Sequence, residues 1–343
     1  MAPENGQARA TLAAVAEAAG VSLPTVSKVA NGREGVSPET RERVQRLLAE
    51  YAWTPPGTRG AAPDQAVELV LDGLTSPYML EVIRGVTEAG LQEGADIVLG
   101  KPAEGRSGAT WVRDVTEKKR RGVIVVTSRL TVGQWRAFVR ARIPLVVIDA
   151  VNLPSPELVS VGATNWAGGL AGTEHLIGLG HRRIAALGGR EDAVCSRARL
   201  HGYRAALDAA GLPFDPALVG YGDFLYEPAY RVGLELLATD SAPTAIFAGS
   251  DLQAFGVIEA ARRLGLQVPR DLSVVGFDDL PAARWAAPPL TTVRQPLADM
   301  GRVALRALLR LAAGEEPDNR RVELATELVV RESTAPPVPV GTG

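Results

Sequence analysis

Between residues 11 and 51 the apolar positions recur at helical spacing. In TLAAVAEAAG, Leu12, Val15, Ala16 and Ala19 fall on one face, with Thr11 placed to cap the start and Gly20 to break the helix. In the next stretch, GVSLPTVSKVANG, Ser22 precedes a second helix. Its Pro24 sits in the first turn, where a missing N–H costs nothing, and Asn31-Gly32 closes it. Ser37-Pro38-Glu39-Thr40 starts a third helix that turns Val44, Leu47, Leu48 and Tyr51 inward. Two helices joined by a short glycine-containing turn and backed by a third have helix-turn-helix spacing.

The pattern changes after residue 55. PPGTRGAAPDQ, residues 55–65, is rich in Pro and Gly and reads as a linker. Beyond it come short apolar runs: VELVLD (67–72), ADIVLG (95–100), GVIVVT (122–127), PLVVID (144–149), RIAALG (183–188), TAIFAG (244–249) and LSVVGF (272–277). Helical stretches such as MLEVIRGVTEAGLQ separate them. Runs apolar on both faces, alternating with helices, predict parallel α/β sheets with right-handed crossovers. The remaining chain is too long for one sheet, so two α/β lobes are expected. Such sheets bind ligands beyond the carboxyl ends of their strands. That singles out the polar residues closing the runs: Asp72 to Tyr78, Asp149, Ser250-Asp251 and Asp278-Asp279.

Composition narrows the class. The 343 residues, 46% hydrophobic and 22% charged, suit a globular protein of two or three domains. No apolar run approaches the roughly 18 residues of a membrane helix, and MAPENGQARA lacks the apolar core of a signal peptide. A cytoplasmic protein without membrane contact is the expectation. The single Cys195 excludes an internal disulfide and a cysteine-based zinc site. Net charge is -2, so any nucleic-acid binding belongs to a local face. Residues 1–59 carry seven basic and six acidic side chains, a balance that also fits a plain solvated helical surface.

TLAAVAEAAGVSLPTVSKVANG followed by VSPETRERV resembles the N-terminal headpiece of the lactose/galactose repressor family of bacterial transcription factors. The likeness runs on through SPY (76–78), VIRGV (82–86), HLIGLGHRRIA (175–185), RLHGYRAAL (199–207), SVVGFDD (273–279) and PPLTTVRQP (288–296). Each match is weak; their order and spacing together are specific. The resemblance implies a three-helix headpiece joined by a hinge to a two-lobed effector domain of the type I periplasmic-binding-protein kind. It also implies a homodimer on a near-palindromic double-stranded operator, without cofactor or metal. The expected boundaries are a flexible 1–9, a headpiece 10–56, a hinge 57–66, an effector and dimerisation domain 67–335 and a disordered tail 336–343. Within the effector domain, lobe 1 takes residues 67–163 and 296–324, and lobe 2 takes 164–293 and 325–335.

On that resemblance the second helix enters the major groove. Val21, Val26 and Val29 face inward, while Leu23, Pro24, Ser27 and Lys28 face out. The family's base-reading positions match Leu23, Pro24 and Lys28. The first two offer only apolar contact, such as to a thymine methyl, and Lys28 a donor for guanine. Thr11, Ser22, Thr25, Asn31, Val36 and Ser37 would hold phosphates or support the turn; for Ser22 and Asn31, helix capping and phosphate contact coexist. The family's hinge leucine, a minor-groove wedge, is matched by Ala62 among Gly57, Gly60 and Pro63, a poor helix-forming segment. The wedge is therefore absent here or DNA bending is small.

The implied effector is a mono- or oligosaccharide. Its candidate contacts are Ser76, Tyr78, Asp149, Arg199, Phe224, Asp278, Trp285 and Gln295, with Arg199 favoured over Arg197 and the two aromatic residues as stacking rings. Capping for Asp149 and Asp278, and core packing for Phe224 and Trp285, remain the structural alternatives; Ser250-Asp251 reads as a helix cap. A catalytic role finds no nucleophile elbow or phosphate loop. An exported solute-binding protein is opposed by the headpiece. A nucleobase effector, a co-repressor or an activator stays open. The tail RESTAPPVPVGTG has no leucine heptads, so a dimer rather than a tetramer is expected.

Overall fold

The computed structural model describes residues 12–30, 35–51, 66–74, 76–102 and 105–338. Thr11, Asn31 and the hinge position Ala62 lie outside them. The chain divides into two compact units, Met1–Pro63 and Asp64–Gly343.

The first unit holds α1 (Leu12–Ala19), α2 (Leu23–Ala30) and α3 (Pro38–Glu50). Gly20 adopts φ +63, which glycine enters freely, and the axes of α1 and α2 differ by 109°. Val15, Val26 and Val44, one from each helix, are fully buried and define a small core, with Leu12, Val21, Val36, Leu47 and Leu48 around it. The inward face of α2 is the one its periodicity predicts.

The second unit begins with β1 (Val67–Leu71), α4 (Pro77–Glu93), β2 (Ile97–Gly100), α5 (Gly108–Glu117), β3 (Gly122–Val126), α6 (Val132–Ala141), β4 (Leu145–Ile148) and β5 (Val159–Ala163). It continues with α7 (Asn165–Gly178), β6 (Ile184–Gly188), α8 (Val194–Ala209), β7 (Val219–Tyr221), α9 (Tyr226–Leu237), β8 (Ala245–Ala248), α10 (Asp251–Arg263), β9 (Ser273–Asp278), α11 (Pro281–Trp285) and β10 (Thr291–Arg294). Last come α12 (Leu297–Ala312), β11 (Arg321–Leu324) and β12 (Glu327–Val329). Two six-stranded sheets result, ordered β11-β5-β4-β3-β1-β2 and β12-β10-β9-β8-β6-β7. Every pairing is parallel except β10 with β12. The central strands β3, β4, β6, β8 and β9 are buried along their whole length, as continuous apolar runs require.

The chain crosses between the sheets three times: after β5, after β10 and after β11. At the first and third crossings Thr164 and Thr326 bond to each other, hydroxyl to hydroxyl at 2.9 Å and Thr326 N–H to Thr164 Oγ1 at 2.9 Å. Two helix pairs pack backbone to backbone. A Cβ at Gly202 of α8 would stand 2.1 Å from the Trp166 carbonyl of α7, and one at Gly85 of α4 1.9 Å from the Ala298 carbonyl of α12. The C-terminal segment is tied to the second sheet. Ser333, fully buried, donates to the Val274 carbonyl and accepts from Thr291 N–H. Residues 336–338, assigned above to a disordered tail, are described, and Pro337 lies against Gly180.

Candidate functional site

In the second unit the loops at the carboxyl ends of both sheets face one cavity of about 300 Å³. The lobe of the first sheet contributes Ser76, Tyr78 at the start of α4, and Asp149; the lobe of the second contributes Arg199 from α8, Phe224 and Asp278. Five residues on this cavity hold positive φ without being glycine: Thr127 (46°), Asp149 (44°), Asp223 (51°), Phe224 (61°) and Asp278 (120°). Such backbone strain persists only where the surroundings impose it, and it concentrates at functional sites.

Arg199 is the centre. Though α8 buries it to 3% exposure, its guanidinium is held from three sides. Nε donates to Asn165 Oδ1 at 2.7 Å, Nη1 donates to the Gly249 carbonyl, and the plane lies 3.8 Å over the Phe277 ring. Asn165 is itself fixed, its Nδ2 donating to the Ala163 carbonyl at 3.0 Å. Nη2 has no hydrogen-bond partner among the described residues, and Arg199 lines the cavity. A rigid, charged fork thus presents free donors to whatever enters.

Two buried carboxylates face it. Asp278 Oδ1 lies 3.9 Å from Arg199 Nη1 and accepts from Gln295 Nε2 at 2.7 Å. Burial pushes the Asp278 carboxyl up to about 7, against the opposing pull of Arg199. Asp149 accepts from the Tyr78 hydroxyl at 2.6 Å. Burial raises Asp149 above the usual carboxylate range, with Arg199 and Tyr78 partly offsetting it. Tyr78 is held well above its ordinary value by burial and by Asp149, so it stays a donor. Cys195, on the same wall, is pushed up to about 11 by burial and stays a thiol.

Phe224 forms one side of the cavity, its ring centroid 5.3 Å from the Arg199 guanidinium. Its ring presses on Gly189, where a Cβ would lie 2.0 Å away. Ser250 caps α10 by accepting from Gln253 N–H at 3.1 Å, and its hydroxyl donates to the Phe224 carbonyl at 3.1 Å. Asp251, fully buried, is spent on the fold: it accepts from Leu280 N–H at 2.7 Å and from the Thr292 hydroxyl. Asp279 turns away from the cavity to pair with Arg294 at 2.7 Å and with Arg331.

Two expected contacts are not on the cavity wall. Trp285 ends α11 and is 79% exposed; that helix follows the Asp278 loop and carries the ring outward. Gln295, at the second crossing, stands behind Asp278 and orients it instead of lining the cavity. Arg197 lies on the exposed side of α8. Thr127, Arg190 and Asp223 line the cavity unanticipated, and Asn165 and Phe277 hold Arg199 from behind. Only the strand-end position of Thr127 gave any signal in the sequence.

In the first unit, Leu23, Pro24 and Lys28 are exposed on α2, with Leu23 at 49%, and Ser27 and Thr25 are half-buried beside them. The Ser22 and Thr25 hydroxyls bond at 2.8 Å. Ser37 caps α3, accepting from Thr40 N–H at 3.3 Å, and Val36 packs against the core.

Residues 11–56 match the family model of bacterial regulatory proteins, lacI family, and residues 173–334 match a periplasmic binding protein-like domain. The chain is 37% identical over 339 residues to the HTH-type transcriptional regulator CelR of Thermobifida fusca, covering 95% of this chain and 98% of that one. The chain belongs to the lacI family. The solved CelR–cellobiose complex superposes with a TM-score of 0.72 at 35% identity, covering 95% of this chain and 100% of that one. The lac repressor dimer bound to operator and the anti-inducer ONPF superposes with a TM-score of 0.74 at 28% identity, covering 96% and 100%. The lacI-family headpiece and the two-lobed periplasmic-binding-like domain expected above are both present. The chain is a DNA-binding transcriptional regulator and not an enzyme. No single helix among its described residues is long and apolar enough to cross a membrane.

Proposed function

We propose that this regulator is a repressor, acting as a homodimer on a near-palindromic operator and released from it by a sugar bound between the two lobes. The observation that carries the effector reading is the constellation of Arg199, Asp149 and Asp278. Neutral polyols are held by charged forks and carboxylates that bond paired hydroxyls, with an aromatic ring against the apolar face. Here the free donors of Arg199, two buried carboxylates and the Phe224 ring meet in one small cavity. A CelR relative solved with cellobiose, 35% identical, supports the sugar class. The operator-bound lac repressor dimer supports the homodimer and the sign of regulation.

Because Asp149 comes from one lobe and Arg199 and Asp278 from the other, a ligand bonding all three favours one lobe geometry. Ligand and DNA then bias a shared equilibrium, and their coupling is reciprocal. On the DNA side, Leu23, Pro24 and Lys28 read bases, with Ser27 among them on the outward side of α2, while Ser22, Thr25, Val36 and Ser37 hold phosphates or the turn; Thr11, Asn31 and Ala62 complete the set from sequence. The test is fluorescence anisotropy of the full chain on a palindrome from the DNA flanking its gene, with sugars and nucleosides added in turn. Release by a sugar establishes the reading. Tightening by every active ligand overturns the inducer assignment, and response to nucleosides alone overturns the sugar class.

A further inference from the structure

We propose that the second unit itself touches DNA: a cationic face at the amino ends of β3 and β4 holds the phosphate backbone of duplex flanking the operator. Lys118, Lys119, Arg120 and Arg121 run consecutively between α5 and β3, and Arg140 and Arg142 lie at the end of α6, just before β4. β3 and β4 are parallel neighbours, so the two loops emerge side by side at one end of the first sheet. Val123 N–H donates to the Pro144 carbonyl at 3.0 Å and ties them together. Lys118, Lys119, Arg140 and Arg142 are exposed. Glu117, the acid next to the run, is engaged by Arg113 at 3.8 Å. Asp96 before β2 and Glu157 before β5 flank the face, two carboxylates against six cations.

None of these six side chains has an ion-pair partner among the described residues, whereas Arg84, Arg106, Arg306 and Arg310 elsewhere on this lobe each face a carboxylate. A cation at the end of a helix is favoured by the helix dipole, which accounts for Lys118 and Arg140. It does not account for Lys119 and Arg142. These hold φ of 49° and 54°, the left-handed conformation that glycine or asparagine adopts at less cost. Nor does it account for Arg120 and Arg121, which lie beyond α5.

The tether singles out DNA as the partner. Arg121 N–H donates to the Ala66 carbonyl at 2.9 Å, so the cationic run lies where the chain arriving from the headpiece enters β1. Residues 52–65 join that point to Tyr51, and a linker of that length spans at most about 50 Å. A headpiece on its operator therefore holds this face close to duplex, at a high effective concentration of phosphates. Unpaired Lys and Arg side chains match the phosphate backbone, which attracts them whatever the base sequence.

The test is fluorescence anisotropy of the full chain on two duplexes, the palindrome used above trimmed to its half-sites and the same palindrome with flanks added on both sides, across a series of KCl concentrations. The unsubstituted chain is expected to prefer the flanked duplex and to show a steeper salt dependence on it. The combined variant Lys118→Gln, Lys119→Asn, Arg140→Gln, Arg142→Asn changes only exposed positions, with asparagine where φ is positive. It should bind the flanked duplex about tenfold more weakly, with a log–log salt slope shallower by about 2 or more, since each lost phosphate contact removes about 0.9. Its affinity for the trimmed duplex should stay within about twofold. No preference for flanks in the unsubstituted chain, an unchanged affinity and slope in the variant, or an equal loss on both duplexes overturns the proposal.

Discussion

The headpiece and the effector lobes present their working residues in opposite ways. On α2 the candidate DNA contacts sit within six residues of one another on the outside of a short helix, with Leu23 half in solvent. In the cleft, Arg199, Asp149 and Asp278 are nearly fully buried and come from positions up to 129 residues apart, the span from Asp149 to Asp278. A face that reads DNA must be exposed before its partner arrives, so one amphipathic helix suffices. A cleft that binds an uncharged polyol must replace water with fixed charges, and burying those charges demands mutual support from the whole fold. The headpiece therefore carries its chemistry on local structure, and the lobes carry theirs on long-range packing.

The contrast is broken most directly at its buried end. Arg199→Ala removes the fork and leaves Asp149 and Asp278 facing each other without a cation. Loss of effector affinity of about 2–5 kcal/mol is expected from truncating one partner of a buried charge pair. Operator affinity without effector should stay near that of the unsubstituted chain. If calorimetry finds the sugar bound unchanged, Arg199 is a structural residue. If operator binding collapses as well, the two regions are less separable than their architecture suggests.

At the exposed end the effect is smaller. Lys28→Ala should cost about 1–3 kcal/mol on the specific operator, the range for one good base contact. Non-specific DNA should lose less, and effector binding should not change. Anisotropy titrations on operator and scrambled duplexes measure both; equal loss on the two sinks the base-reading role.

The finest effect is a fraction of one proton. Burial pushes free Asp278 up to about 7, so part of the population is protonated at neutral pH. Sugar hydroxyls donate to the ionised carboxylate, lower its pKa and release that fraction. Effector affinity should therefore fall as pH drops below 7 and level off above it. Titrations in two buffers of different ionisation enthalpy report the released proton, and Asp278→Asn should abolish the dependence. A pH-independent affinity between 5.5 and 7.5 would mean that Asp278 does not contact the ligand.

The same contrast governs what was legible in the chain. Seven apolar runs marked seven strands; six of them are buried along all or most of their length, while β2 at the sheet edge is only partly covered and leaves Leu99 exposed. Five strands carried no such mark. Sheet-edge β11 alternates exposed and half-buried positions, and β7 is only partly covered. In β10 the fully buried residues Thr291 and Thr292 conceal the run, because their hydroxyls are satisfied by Thr334 and Asp251 from distant segments. Ser160 and Gly162 interrupt β5 in the same way, and β12 is three residues long.

By itself the sequence determined the helix-turn-helix, the two parallel α/β lobes and the strand ends where Asp149 and Asp278 emerge. Those features depend on periodicity, capping and turn residues, which act over a few positions. Tertiary structure alone decided which polar residues face the cavity. Asp278 and Asp279 are neighbours in sequence, yet one turns into the cavity and the other to Arg294 and Arg331. Trp285 was placed outside because α11 points it away, and Thr127 and Arg190 were brought in by loops of different lobes. A buried side chain's role is fixed by which partners satisfy its charge, and those partners arrive from remote parts of the chain.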